Sequence, residues 1–458
     1  MADAHKASYL KKGLFSRLRA TQIIPIVFAL LILAGGILLT LPIASRSGVS
    51  CGFQPALFTA TSATCVTGLV LFDTWTQWSA FGQAVILGLI EVGGLGFMAI
   101  ASLGIAVLGQ KVGLRQRMLM AQAWSIEDMA EVVRIQKWVI FGSLSVQFTG
   151  ALILFLRFLP VHGVGKSAWW AVFHAISAFC NAGFDITGSV SPGANLIVFN
   201  QDPVVCITVM ALVVLGGLGF FVWKEVATVR NFRKFSVYTR LVLITTAILL
   251  VGGAVLFCLM EWNNPGTIGT MDTPHKILNG VFQSVTVRTA GFTSVDQAAL
   301  TDGSKALSIV LMLVGGASGS TAGGIKVGTF VVVLLFIWSR ARGKNTVTAF
   351  KRTIPQEKVL DGMTIIGMVA FLAVAGATFI AATCPVGFTD AFFESASALG
   401  TVGLTAGVTP NLTIPAQWMI LLFMYFGRVG VMTLSLGFLM GNKAENRFHY
   451  ANTNILIG

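Results

Sequence analysis

The chain is 458 residues long, 55% hydrophobic and only 11% charged, with a mean hydropathy of +0.81. A water-soluble domain carries about a quarter charged residues, so this composition excludes an ordinary soluble fold and points to a polytopic helical protein in a lipid bilayer. Lys and Arg exceed Asp and Glu by 13; in such a chain the excess orients the protein across the membrane and does not mark a nucleic-acid partner.

Lys6, Lys11, Lys12, Arg17 and Arg19 precede an apolar run at 22–41. That run can span a bilayer and has no small-residue cleavage site, so it predicts an uncleaved first helix with a cytoplasmic N-terminus. Similar leading helices are expected near 138–159, 238–262 and 361–383, with trailing helices near 80–108, 203–223, 305–338 and 416–440. No polar stretch is long enough to fold as a separate domain.

Between each leading and trailing helix lies a related short motif. The first runs from Phe58 through Ser62 to Gly68-Leu69, the second from Phe173 through Ser177 to Gly183-Phe184. The third, one residue shorter, runs from Phe282 through Thr286 to Gly291-Phe292, and the fourth from Phe393 through Ser397 to Gly403-Leu404. Their terminal glycines are 115, 108 and 112 residues apart, the mark of an internal repeat. Each motif is too short to cross a membrane. The expected fold is all-α: eight transmembrane helices plus four re-entrant pore helices, as four helix–pore-loop–helix repeats around a pseudo-fourfold pore. Irregular backbone at membrane depth is tolerated where it is buried or lines an aqueous path.

The expected divisions are a cytoplasmic N-terminus at 1–21, repeat 1 at 22–110, repeat 2 with its link at 111–224, repeat 3 with its link and a broken helix at 225–340, repeat 4 with its link at 341–441, and a cytoplasmic tail at 442–458. The segments assigned to the cytoplasm hold 23 basic residues, and the outer loops and pore helices hold 6. This bias puts both termini inside and brings the pore loops in from outside.

Thr401-Val402-Gly403 matches, and Thr289-Ala290-Gly291 approaches, the Thr-Val-Gly that opens a potassium selectivity filter. Val66-Thr67-Gly68 and Asn181-Ala182-Gly183 are looser versions. Such a filter needs inward backbone carbonyls that replace water around a dehydrated cation, and glycine permits the turn. Potassium is therefore expected to bind through carbonyls near Gly68, Gly183, Gly291 and Gly403.

The third trailing segment reads Gly315-Gly316-Ala317-Ser318-Gly319-Ser320-Thr321-Ala322-Gly323-Gly324, followed by Ile325 and Lys326. Each glycine costs about 1 kcal/mol of helix propensity relative to alanine, so the helix should break here. The functional reading is an intramembrane gating loop, the alternative a packing seam; a phosphate loop is disfavoured because no strand precedes it and the Gly-Lys-Ser/Thr ending is missing. The trailing helices of the other repeats carry Gly93-Gly94-Leu-Gly96, Gly216-Gly217-Leu-Gly219 and Gly427-Arg428-Val-Gly430. Arg428 is an intramembrane charge, which marks a functional site by default. It either repels cations below the filter or contacts the 315–324 loop; the alternative is a structural arginine capping buried carbonyls. Lys326 either snorkels or binds loop carbonyls, and Glu91 receives no role.

On these motifs the chain resembles the Trk/Ktr/HKT superfamily of potassium transporters, most of all the membrane subunit of a bacterial Ktr system. The resemblance implies potassium uptake at the bacterial inner membrane, one ion path per subunit, a homodimer, and frequent sodium dependence. It also implies a cytoplasmic ring of nucleotide-binding regulatory subunits, with the nucleotide on that partner and no cofactor on this chain. Glycine at all four filter positions fits a potassium-preferring member; sodium-selective plant relatives have Ser where this chain has Gly68. The basic links 224–240 and 340–358 suit docking of that partner or of anionic headgroups, or orientation alone.

The competing class is a secondary transporter for another cation or small solute, which typically shows inverted repeats; here every repeat has an even number of spans and one orientation. A redox protein would need paired intramembrane His or Cys. The five His form no such pairs and the six Cys have no metal spacing, so buried free thiols are expected and an enzyme is not.

Overall fold

The structure is a computed structural model and describes residues 20–96 and 132–430. Both termini, most of the first cytoplasmic link and the far ends of the trailing segments 80–108 and 416–440 lie outside the described residues.

The four leading helices are α1 (Ala20–Thr40), α4 (Val132–His162), α8 (Val237–Glu261) and α12 (Gln356–Thr383). Among the described residues these are the four helices long and apolar enough to cross a membrane. Each packs on the short helix that follows it: α2 (Phe53–Cys65), α5 (Val164–Phe179), α9 (Thr273–Thr286) and α13 (Phe388–Gly400). At a rise of about 1.5 Å per residue the short helices reach about 20–24 Å, less than the roughly 30 Å of a hydrocarbon core.

The short helices are buried on nearly all sides in their C-terminal halves, where small residues such as Ala60, Ala63, Ala175, Ala178, Ala396 and Ala398 permit close packing. Two of their buried hydroxyls are satisfied within the helix: Thr59 donates to the Pro55 carbonyl at 3.0 Å and Thr61 to that of Leu57 at 2.7 Å. The repeated Phe58, Phe173, Phe282 and Phe393 are at most 1% exposed and anchor each short helix by apolar burial worth about 2–3 kcal/mol apiece.

The trailing segments depart from the expectation of single long helices. α3 (Ala80–Leu95) stops at Gly96, and α14 (Ile414–Val429) stops at Gly430. The segment expected at 203–223 is instead two helices, α6 (Pro203–Leu218) and α7 (Phe220–Val229), bent by 94°. All three breaks fall on glycines with positive φ, +84° at Gly96, +85° at Gly219 and +91° at Gly430, a region that L side chains resist. In the third repeat α10 (Asp302–Leu313) and α11 (Val327–Ala341) are separated by irregular chain. The third link folds a two-stranded hairpin, β1 (Val347–Ala349) with β2 (Arg352–Ile354), pairing Val347 with Ile354; the all-helical expectation omitted it.

The packing is cyclic. Each trailing helix lies against the short helix of the next repeat: α3 on α5, α6 on α9, α10 on α13 and α14 back on α2. All six cysteines are free thiols, with Cys65, Cys180, Cys206 and Cys384 buried.

Candidate functional site

The four short helices end in the same uncommon way. The residue two before each motif glycine has a left-handed backbone although it is not glycine: Val66 (φ 58°), Asn181 (60°), Thr289 (67°) and Thr401 (51°). This conformation costs a side-chain-bearing residue about 1–2 kcal/mol, so surrounding contacts must hold it. The motif Ser or Thr supplies one of them. Ser62 and Ser397 accept from the amides of Gly68 and Gly403 at 3.0 and 3.1 Å. Ser177 and Thr286 donate to the carbonyls of Phe184 and Phe292 at 2.7 and 2.6 Å. Backbone bonds from the amides of Thr67, Ala182 and Val402 to the carbonyls of Ser62, Ser177 and Ser397, each 2.8 Å, close three turns; the shorter third motif uses Ala290 to Thr286 at 3.0 Å.

These turns bring Gly68, Gly183, Gly291 and Gly403 together. A methyl group added to Gly68 would lie 2.5 Å from the Ala182 carbonyl oxygen, and one added to Gly183 would lie 2.8 Å from that of Ala290. One added to Gly291 would strike the Val402 carbonyl, and one added to Gly403 that of Thr67. The four glycines therefore follow one another in a closed ring, each against the carbonyl of its neighbour. Val66, Thr67, Asn181, Ala182, Thr289, Ala290, Thr401 and Val402 are all buried around it. The Thr67 and Thr401 hydroxyls find no protein partner.

Residues 315–324 are held by backbone bonds within their own repeat and to the second repeat. The Gly315 amide donates to Ile325 at 2.9 Å, and the Val327 amide to Gly316 at 3.0 Å. Ala317 and Thr321 amides donate to Gly217 and Gly216 of α6, at 2.9 and 3.2 Å, and the Phe220 amide to Gly319 at 2.9 Å. Within the loop Ser320 donates to the Ala317 carbonyl at 2.6 Å, and Lys326 donates to that of Ala322 at 2.5 Å. The loop also meets the left-handed residues: the Thr321 hydroxyl lies 3.4 Å from the Asn181 side-chain oxygen, and Gly323 has no room for a side chain against Thr401.

Arg428 donates to the carbonyls of Thr321 and Gly93, and to that of Gly94 at 3.2 Å. It thus contacts the 315–324 loop, and every one of these bonds goes to a buried carbonyl. The related Gly93, Gly216 and Gly427 are the points where trailing helices meet short helices: a methyl group on them would strike the carbonyls of Thr64, Phe179 and Leu399. Glu91 accepts from the Gln147 amide at 3.1 and 3.3 Å and from the Cys180 thiol at 3.4 Å.

The chain matches the TrkH cation transport protein family over residues 6–450. The chain belongs to the TrkH family. It is 39% identical to the potassium/sodium uptake protein NtpJ of Enterococcus hirae over 454 residues, covering 98% of this chain and 99% of that one. It is 38% identical to the Ktr system potassium uptake protein B of Bacillus subtilis, covering 94% of this chain and 96% of that one. The potassium transporter TrkH of Vibrio parahaemolyticus has a similar fold, with a TM-score of 0.71, 20% identity and coverage of 94% of this chain and 86% of that one. This TrkH-family chain is accordingly a multi-pass membrane protein of a transporter family, not an enzyme family.

Two residues that the motif reading left unremarked stand out in this TrkH-family fold. Arg288 counts by position as an outer basic residue, yet it is only 8% exposed; alignment of the four motifs, which sets it against Cys65, Cys180 and Gly400, is the signal that marks it. Tyr238 at the start of α8 donates to the Ser318 carbonyl at 3.1 Å, and nothing local in the sequence announces that contact.

Proposed function

We propose that this chain is the ion-translocating subunit of a potassium uptake system, channel-like, with the four motif loops as its selectivity filter. The closed ring of Gly68, Gly183, Gly291 and Gly403 carries the reading. Four short helices converge on it, each ending on the carbonyl side of its dipole, which favours a cation. Backbone oxygens near the four glycines take the place of the ion's water, and the unpartnered hydroxyls of Thr67 and Thr401 add acceptors that an ion or its residual water satisfies. Val66 to Gly68, Asn181 to Gly183, Thr289 to Gly291 and Thr401 to Gly403 form this filter.

The 315–324 loop, with Lys326 and Arg428, is the gate. Its backbone is bound to other repeats chiefly by exchangeable hydrogen bonds, each worth about 1 kcal/mol, so a modest bias moves it. Arg428 fastens the closed form and opposes cations there. The names of the Enterococcus and Bacillus relatives support potassium as the cargo and sodium as a second or coupling ion. The word "system" in the latter supports regulatory partners, which we take to be a cytoplasmic nucleotide-binding ring beneath a homodimer. The nucleotide binds to that partner and not to this chain.

The decisive test is growth of a potassium-uptake-deficient bacterium at low potassium, with the regulatory subunits supplied and rubidium influx measured alongside. Growth and influx are expected. A correctly inserted protein that gives neither overturns the reading.

A further inference from the structure

Arg288 occupies a place where the other three repeats have Cys65, Cys180 and Gly400. It is 8% exposed, and no ion pair among the described residues involves it. An arginine buried in a membrane protein without a counter-charge is costly. Its guanidinium Nη2 donates to the Gly315 carbonyl at 3.4 Å, while Nε has no protein partner. It lines a cavity of about 10 Å³ with Asn181, Gly217, Thr246 and Gly316, room for roughly one water. Gly315 is the first residue of the gating loop, and a methyl group added to it would also touch the Thr289 side chain at 3.4 Å. The loop therefore begins against two consecutive residues of the third filter turn, Arg288 and Thr289.

We propose that Arg288 is a positioning residue that ties the third filter turn to the start of the gating loop, so that loop release and filter geometry are coupled. The proposal rests on the reading of the ring as filter and the loop as gate. The tether acts on one quarter of the ring only. The third turn is already the odd one, a residue shorter than the others, and Thr289 holds a left-handed backbone there. With Gly315 withdrawn, Arg288 loses its carbonyl acceptor and the loop backbone beside Thr289 leaves with it. A neutral side chain of equal length would let the loop leave freely and let the turn relax, admitting the wrong ion. A lysine keeps the charge but has no planar fork to reach the carbonyl in the same way.

The test compares wild type, Arg288→Met and Arg288→Lys, each purified in detergent and confirmed as folded. Hydrogen exchange is followed at the Gly315, Ala317 and Thr321 amides, which are all hydrogen-bonded in the closed loop. Arg288→Met is expected to speed exchange there about tenfold, the loss expected for a hydrogen bond to a charged group, with α4 and α8 unchanged. Arg288→Lys is expected to fall between. In proteoliposomes the sodium-to-rubidium flux ratio should rise several-fold in Arg288→Met. Unchanged loop exchange, or an equal acceleration everywhere, overturns the tether; so does an unchanged flux ratio. If Arg288→Met does not accumulate, wild-type exchange in Arg288→Lys overturns it equally. The exchange measurement needs no transport, so a wild type that moves no rubidium refutes the proposed function without deciding this inference.

Discussion

The Tyr238 hydroxyl donates to the Ser318 carbonyl at 3.1 Å, joining the start of α8 to the middle of the 315–324 loop. Around that point Glu225 of α7 accepts from the Ser236 hydroxyl at 2.8 Å and from Thr239 at 2.5 Å. The second basic link therefore forms a braced elbow whose far side holds the loop. Tyr238→Phe removes one hydrogen bond of about 1 kcal/mol, roughly a fivefold shift in the loop's equilibrium. Rubidium flux through the subunit in proteoliposomes should rise about fivefold without any regulatory partner. Flux equal to wild type would show that the contact is incidental.

Gly403 has φ +93°, and a methyl group on it would strike the Thr67 carbonyl oxygen and approach the Gly68 Cα at 2.9 Å. Both neighbours are backbone, so neither can swing aside. Gly403→Ala should abolish uptake while the protein still reaches the membrane. Gly367 in α12 has nothing within 4 Å of an added methyl group, and Gly367→Ala should leave uptake intact and raise thermal stability by up to about 1 kcal/mol. Growth at low potassium and a melting scan measure both; normal uptake by Gly403→Ala would remove the ring from the ion path.

Arg428 binds one loop carbonyl, that of Thr321, and two from α3. Arg428→Met removes the charge and these fastenings together. Flux should increase, and its dependence on the regulatory partner should weaken. Lower flux in a well-folded variant would assign Arg428 to structural capping alone.

Asp185 lies two residues beyond Gly183, in the loop that follows the second motif. Burial pushes its carboxyl up to about 6, against hydrogen bonds from the Thr187 hydroxyl at 2.5 Å and amide at 3.0 Å, and nearby Asp73 adds to the rise. A raised acid binds its proton more tightly folded than unfolded. Its stabilising contribution is thus complete below the ordinary value of 3.8 and is lost as pH rises to about 6. By the same titration this loop carries an extra negative charge at pH 7 that it lacks at pH 5. Cation influx should fall from pH 7 to pH 5, and Asp185→Asn should hold the lower rate at both. A variant that keeps the wild-type pH profile would free Asp185 of this role.

Much of this fold was legible because it is written in short-range pattern. The four Phe-to-Gly motifs, the glycine run at 315–324 and the leading helices each depend on neighbours within a helical turn or two, and their periodicity adds weight. The trailing helices were less legible. Their apolar runs continue through Gly96, Gly219 and Gly430, so hydropathy alone predicts straight spans, whereas positive φ at those glycines stops or bends them. Arg288 drew no attention for a related reason: within its motif a charge counts only by position until its neighbours are known.

By itself the sequence pointed to a mostly helical membrane protein, with four related glycine-terminated motifs and a break at the 315–324 glycine run, because composition and spacing act through local backbone physics. Only the tertiary structure decided the cyclic order in which each trailing helix meets the next short helix. It alone paired Arg428 with Gly93 across 335 residues, Tyr238 with Ser318, and Arg288 with Gly315. Those partners are backbone carbonyls, which every residue carries and no sequence pattern distinguishes.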